Sequence, residues 1–366
     1  MSDRVKKVRS VVISTVVGGI IVWFLLSRID PRDIPRAIGN MPLRSLVIAF
    51  LLYATSVFFK AIRFKVILRT GISLRELFPI ISLYMFFANI LPMRAGELSY
   101  VYLLKKQART PGTKSFASLL IGGIADTAVI LIAMSIVGWH LRVPLAEGTS
   151  YFLSALGQKS GLIGSWAYGL MIAVVLLAGM AIFGYCLRVR YRKLRAKSGE
   201  QKEESQALRS SGIQHIVSTA KTKVLEVGRE LADTPFDVRL LGVVACSIMI
   251  IAFRFGTLWY LVRSMGIVIG IWKLSFALLF GVLFSLVPIH GPAGLGTVEA
   301  PWVASLVILD VSQKDAITSG FGLHIIIILY CVILGLYGIL DLRFSIFNLR
   351  LWKSKIGNRK SKTENV

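Results

Sequence analysis

Acidic side chains are scarce: 19 Asp and Glu stand against 43 Lys and Arg, a formal charge of +24 over 366 residues. Charged residues make up only 17% of the chain, below the roughly one quarter usual in soluble domains, and they are clumped. That shortage excludes an ordinary soluble enzyme and a charge-rich disordered tail. Cysteine is scarce as well. Cys186, Cys246 and Cys331 lie far apart in or beside apolar runs and form no CxxC pair, which excludes a disulfide scaffold and a thiolate metal site. The four histidines, His140, His215, His290 and His324, have no i,i+4 pairing and no cysteine nearby. No metal and no cofactor is expected.

What the chain has in quantity is apolar sequence. Runs at 11–27, 45–62, 116–139, 162–187, 240–262 and 317–340 are each about long enough to cross a bilayer as a helix. Shorter apolar stretches lie at 77–91, 274–287 and 300–309. Arg4, Lys6, Lys7 and Arg9 before the first run imitate a secretion signal, but Arg28-Ile29-Asp30 follows it with no small-residue cleavage site. The run reads as an uncleaved first span. The basic residues sit just beyond apolar runs, as in cytoplasmic loops of membrane proteins. They point to anionic lipid surfaces, not to nucleic acid.

The loop charges set the topology. The N-terminal tail is basic. So are 60–76, with Lys60, Arg63, Lys65, Arg69 and Arg75, and 105–114, with Lys105, Lys106, Arg109 and Lys114. All three belong on the cytoplasmic side, with Lys60 and Arg63 snorkelling from the end of the second span. The stretch between 60–76 and 105–114 then enters and leaves on one side. It is too short for two crossings, so it reads as a re-entrant hairpin, 77–104, broken at Leu91–Glu97. Such a break is tolerated only inside protein or against a watery cavity. In the second half, loop 188–239 and the tail are basic, so 274–309 enters and leaves from outside, with its break at Pro288–Glu299. The expected fold is an all-α polytopic membrane protein. It has six full crossings and two re-entrant hairpins in an inverted-topology repeat, a plan that puts binding sites where broken helices meet. Ala61-Ile62-Arg63-Phe64 recurs as Ala252-Phe253-Arg254-Phe255, and Asn89-Ile90-Leu91-Pro92 loosely as Ser285-Leu286-Val287-Pro288.

The resulting segments are a basic cytoplasmic tail 1–10, a first repeat 11–139, an external loop 140–161, a second repeat 162–340 and a basic cytoplasmic tail 341–366. Within loop 188–239 the amphipathic stretch Ile216–Leu231 suits either a membrane-hugging segment or a partner-binding helix.

Charges at membrane depth are the candidate functional groups. Arg94 and Glu97 stand three apart at a half-helix start, where they make either an anion site for a lipid phosphate or an internal ion pair. Gly291, Pro292, Gly294 and Gly296 form the second break. It is not a P-loop, since no Gly-Lys-Ser/Thr follows; it is a structural hinge or a close-approach site. Glu299 is expected to face inward as a proton carrier or arginine partner. His290 and His324 are either titrating groups or satisfied buried histidines. Arg254, mid-run, must find a carboxylate or backbone carbonyls, with Asp126 and Glu299 the carboxylates available by depth.

The two breaks resemble those of the family named for the membrane region of lysylphosphatidylglycerol synthase, often described as flippase-like. The resemblance runs over roughly 11–340. Asn89, Leu91, Pro92, Arg94, Gly96 and Glu97 carry the first motif. Pro292-Ala293-Gly294-Leu295-Gly296-Thr297-Val298-Glu299 carries the second, with Ala293 where the family usually has glycine. Asp126 matches an aspartate of the following helix. Two departures stand out: Gly122-Gly123 where a Glu-Arg pair often precedes that aspartate, and Leu323-His324 where the last helix often has Tyr-Arg. With only 341–366 after the last span, the soluble aminoacyl-transfer domain of the full synthase is not expected. The resemblance therefore implies lipid translocation or lipid-linked sugar metabolism in the inner membrane.

The functional expectation is a transporter-like protein, not an enzyme. It moves an anionic or sugar-linked lipid headgroup past Asn89, Arg94, Glu97, Asp126, Arg254, His290, Glu299 and His324. Pro92, Gly96 and Pro288 complete the breaks. The alternatives are an accessory subunit that scaffolds envelope-biosynthesis enzymes, and a membrane enzyme acting on a lipid phosphate.

Overall fold

The computed structural model describes residues 3–91, 95–142, 238–285 and 292–363. Among these residues the chain is all-helical, with no strand. The first half holds α1 (Asp3–Leu26), α2 (Asp33–Gly39), α3 (Leu43–Leu68), α4 (Leu74–Ile90), α5 (Ala95–Gln107) and α6 (Gly112–His140). The second holds α7 (Val238–Ser264), α8 (Ile271–Phe284), a 3-10 turn at Pro292–Gly294, α9 (Glu299–Ile308) and α10 (Gln313–Thr363). The expected span 162–187 and nearly all of loops 140–161 and 188–239 lie outside the described residues.

Four helices are long and apolar enough to cross a membrane: Leu43–Leu68, Gly112–His140, Arg239–Ser264 and Gln313–Leu342. They contain four of the six spans expected from the sequence. The expected run 11–27 falls on α1, of which Thr15–Leu26 is a shorter apolar stretch. α10 does not stop with the apolar run at 340 but continues as helix to Thr363; no proline interrupts 341–363.

The other helices are too short to span singly. α4 has 17 residues and α5 has 13, about 26 and 20 Å against a hydrocarbon core of about 30 Å. A capping box starts α4: Ser73 Oγ accepts from the Glu76 amide at 3.2 Å, and Glu76 Oε2 accepts from the Ser73 amide at 3.0 Å. The two helices run antiparallel, with Tyr84 beside Tyr100 (ring centroids 5.4 Å apart) and Gly96 seated on the Ala88 backbone. Both contacts are symmetric about position 92. A Cβ at Gly96 would overlap Ala88, so only glycine allows this approach. In the second half, α8 has 14 residues and α9 has 10, about 21 and 15 Å long. The chain between them turns through positive φ at Ala293 (52°), Gly294 (69°) and Gly296 (78°).

The core is the seam between halves. α3 packs most extensively on α7, and α4 on α10. α3 and α7 are antiparallel: Phe59 stacks on Phe253 with centroids 5.5 Å apart, and Leu52 lies against Gly256. The recurring Ala-x-Arg-Phe segments therefore lie at this crossing.

The helix bounds correct one expectation. Lys60 and Arg63 do not snorkel from a helix end, because α3 continues to Leu68, where Arg69 takes a left-handed conformation (φ 49°). Both are interior residues; Arg63 is 1% exposed.

Candidate functional site

A cavity of about 330 Å³ lies where the two halves meet, the size of a small-ligand site. Its wall takes Tyr53 and Lys60 from α3, Tyr84 and Asn89 from α4, Glu97 from α5 and Arg254 from α7. α8 adds small and apolar side chains, the second break adds Gly294 and Thr297, and α9 and α10 add Trp302 and His324. Both chain breaks thus border one space.

Glu97 shares the wall with its two cations, but among the described residues neither cation makes a salt bridge to a carboxylate. The Lys60 ammonium contacts Met85 Sδ at 3.4 Å and lies 5.3 Å from the Tyr84 ring centre. These are a weak acceptor and a π face, not an anion. Lys60 and Arg254 make no salt bridge among the described residues. The two carboxylates expected for Arg254 are engaged elsewhere, which corrects that expectation. Asp126 pairs with Arg63, and Glu299 Oε1 shares a hydrogen bond of 2.6 Å with His324 Nδ1.

The Arg63 station is closed. Arg63 Nη1 donates to Asp126 and, at 2.8 Å, to Ser247 Oγ on α7. Gly122 makes room for it: a Cβ there would stand 3.1 Å from Arg63 Nη2. Extending the internal echo backward explains Ser247. Ser56, Ala61, Arg63 and Phe64 match Ser247, Ala252, Arg254 and Phe255 at the same spacing. Ser56, the counterpart of Ser247, donates instead to its own helix at Tyr53 O, 2.6 Å away. The same local sequence is closed in one half and open to a cavity in the other.

Of the residues expected along a substrate pathway, Asn89, Glu97, Arg254 and His324 share the cavity wall. Glu299, fully buried, stands behind His324. Asp126 lies outside the wall, on the Arg63 pair. Gly96 serves the α4–α5 approach, Gly294 lines the cavity, and Gly296 rests on the Gly18 backbone. Pro292 begins the 3-10 turn. Arg94, Pro92, Pro288, His290 and Gly291 lie outside the described residues. Lys60 is the wall cation that sequence reasoning placed elsewhere, and the Ser56 to Phe64 echo is the signal that would have kept it inside α3. No group of three His, Cys, Asp or Glu among the described residues is placed to hold a metal ion.

The family model for the lysylphosphatidylglycerol synthase TM region matches residues 11–335. The chain belongs to this family. The match takes in α3 to α9 and most of the apolar part of α10, and so every described wall residue of the cavity. Membership and the four membrane-length helices make it a multi-pass membrane protein of that family. No curated protein matches the chain.

Proposed function

We propose that this protein is a flippase-like lipid translocase that moves the headgroup of an anionic phospholipid or lipid-linked sugar across the cytoplasmic membrane. The observation that carries the reading is the pair Lys60 and Arg254 on one cavity wall, with no carboxylate salt bridge to either among the described residues. Cations at membrane depth are costly unless compensated. A headgroup phosphate supplies that compensation, and a guanidinium offers it a planar fork of donors. Acyl chains remain in lipid while the headgroup crosses. Arg94 and His290, from the two breaks, are proposed to join the pathway with Asn89, Glu97, Glu299 and His324.

The proposed topology has six crossings, both termini cytoplasmic, and α4–α5 and α8–α9 as re-entrant hairpins of an inverted repeat. Helix lengths below the bilayer thickness and the antiparallel crossing of α3 and α7 at the echoed arginines support it. Cysteines placed at Thr113 and Ser205 should be shielded from an impermeant thiol reagent in intact cells, while those at Ser150 and Ser312 should label. Labelling at 113 would remove the first hairpin.

Transport is tested in proteoliposomes with a fluorescent phosphatidylglycerol and a quencher confined to the outer side. The intact protein should move the lipid between leaflets faster than empty vesicles do, and Lys60→Gln/Arg254→Gln should fall to background with the protein still inserted. Transfer at the background rate by the intact protein would favour the second reading, an accessory subunit of an envelope-lipid pathway. The closed Arg63–Asp126 pair suits such a scaffold.

A further inference from the structure

We infer that Glu299 and His324 form a proton-binding site coupled to the cavity, so that a phosphodiester headgroup enters it together with a proton. The inference rests on the anion reading of the cavity. Glu299 has no exposed surface. Its Oε1 lies 2.6 Å from His324 Nδ1 in a hydrogen bond, and its Oε2 has no partner among the described residues. A carboxylate this far from water needs a firmly held donor. That fixes the imidazole tautomer: Nδ1 keeps its hydrogen on Glu299, and Nε2 is the nitrogen that gains or loses a proton.

His324 lines the same space as the cations, and this links the proton to the ligand. The titratable and charged groups sharing that wall are Tyr53 and Lys60 on α3, Tyr84 on α4, Glu97 on α5 and Arg254 on α7; α8 contributes none. In the empty cavity Lys60 and Arg254 oppose a third positive charge on His324, while Glu97 and Glu299 favour it. A phosphodiester between the cations cancels their opposition and draws a proton onto Nε2. The coupling is reciprocal, so a protonated His324 also tightens the anion. The balance is one proton taken from solution onto Nε2 on binding and returned on release. Nothing is oxidised or reduced.

The test uses the full chain in nanodiscs and titration calorimetry in two buffers of different ionisation enthalpy, which reads protons taken up per ligand. The probe is glycerophosphoglycerol, a phosphodiester that does not itself titrate near neutrality. A parallel arm compares uptake in phosphatidylglycerol and phosphatidylcholine discs, separating a lipid headgroup from a free phosphodiester. The intact protein should take up close to one proton per anion in at least one arm, with tighter binding at lower pH. His324→Gln keeps a donor for Glu299 but cannot titrate; it should still bind the anion with proton uptake near zero. Glu299→Gln, which preserves shape, should lower the uptake as well and serves if the first variant fails to fold. Anion binding with no proton uptake by the intact protein, or full uptake by His324→Gln, overturns the coupling. Failure of the anion reading itself looks different: Arg254→Gln would then bind the probe as tightly as the intact protein.

Discussion

Arg63 and Arg254 occupy matching places in two copies of one sequence pattern, on helices that cross each other, and meet opposite fates. Arg63 is buried to 1% exposure and held by Asp126 and Ser247. Arg254 faces a cavity and makes no salt bridge among the described residues. The difference comes from what each half sends to its arginine. α6 brings Asp126 across the small Gly122. On Arg254's cavity, α10 brings His324, which is turned to Glu299. One arginine of the echoed pattern is thus held in a closed pair, while the other lines a cavity.

The comparison breaks most readily at Asp126. Asp126→Asn leaves Arg63 with a hydroxyl and no counter-charge, and orphaning a buried charge costs about 3–5 kcal/mol. The lower end is expected, since the Asp126 side chain keeps 28% exposure. Thermal unfolding in detergent should show it as the largest loss of the set. Arg63→Met/Asp126→Leu should recover much of that loss, because removing both charges leaves none unpaired. If Asp126→Asn unfolds with the intact protein, the pair does not fasten the fold.

The two serines sharpen the same contrast. Ser247→Ala removes an acceptor from a charged donor 2.8 Å away, worth about 1.5–3 kcal/mol. Ser56→Ala removes only a hydroxyl that bonds within its own helix, a neutral bond of roughly 0.5–1.5 kcal/mol. Matching positions should therefore give unequal shifts in the same melting assay. Equal shifts would mean that Arg63 and Arg254 are supported alike.

Much of this arrangement is legible in the sequence because membrane depth leaves a compositional trace. The four long helices fall on expected apolar runs, and α4 and α8 end at or before the starts of the breaks read at Leu91–Glu97 and Pro288–Glu299. The charges inside helices mislead. Lys60 and Arg63 make the run in α3 seem to end near 62, although the helix runs on to Leu68, so a half-buried lysine and a buried arginine inside the helix read as snorkelling ones. Partner choice is illegible for a different reason. Arg63 and Asp126 are 63 residues apart and Glu299 and His324 are 25 apart, and only packing decides which carboxylate meets which cation.

The smallest effect on stability, and the sharpest division of the two stations, is expected at Arg254. Arg254 makes no salt bridge among the described residues, so Arg254→Gln breaks no described ion pair. Loss of the charge relieves repulsion from Lys60 and forfeits attraction to Glu97 on the same wall. With these terms opposed, the change should lie within about 0.5 kcal/mol, as for substitutions outside buried networks. The melting temperature should barely move, while leaflet transfer of the anionic lipid is lost. Arg63→Gln should do the reverse at the level of folding, giving little inserted protein. If Arg254→Gln instead melts as early as Asp126→Asn, Arg254 is a second fastener. The asymmetry between the halves would then be one of geometry alone, and the cavity would lose the cation on which its anion chemistry depends.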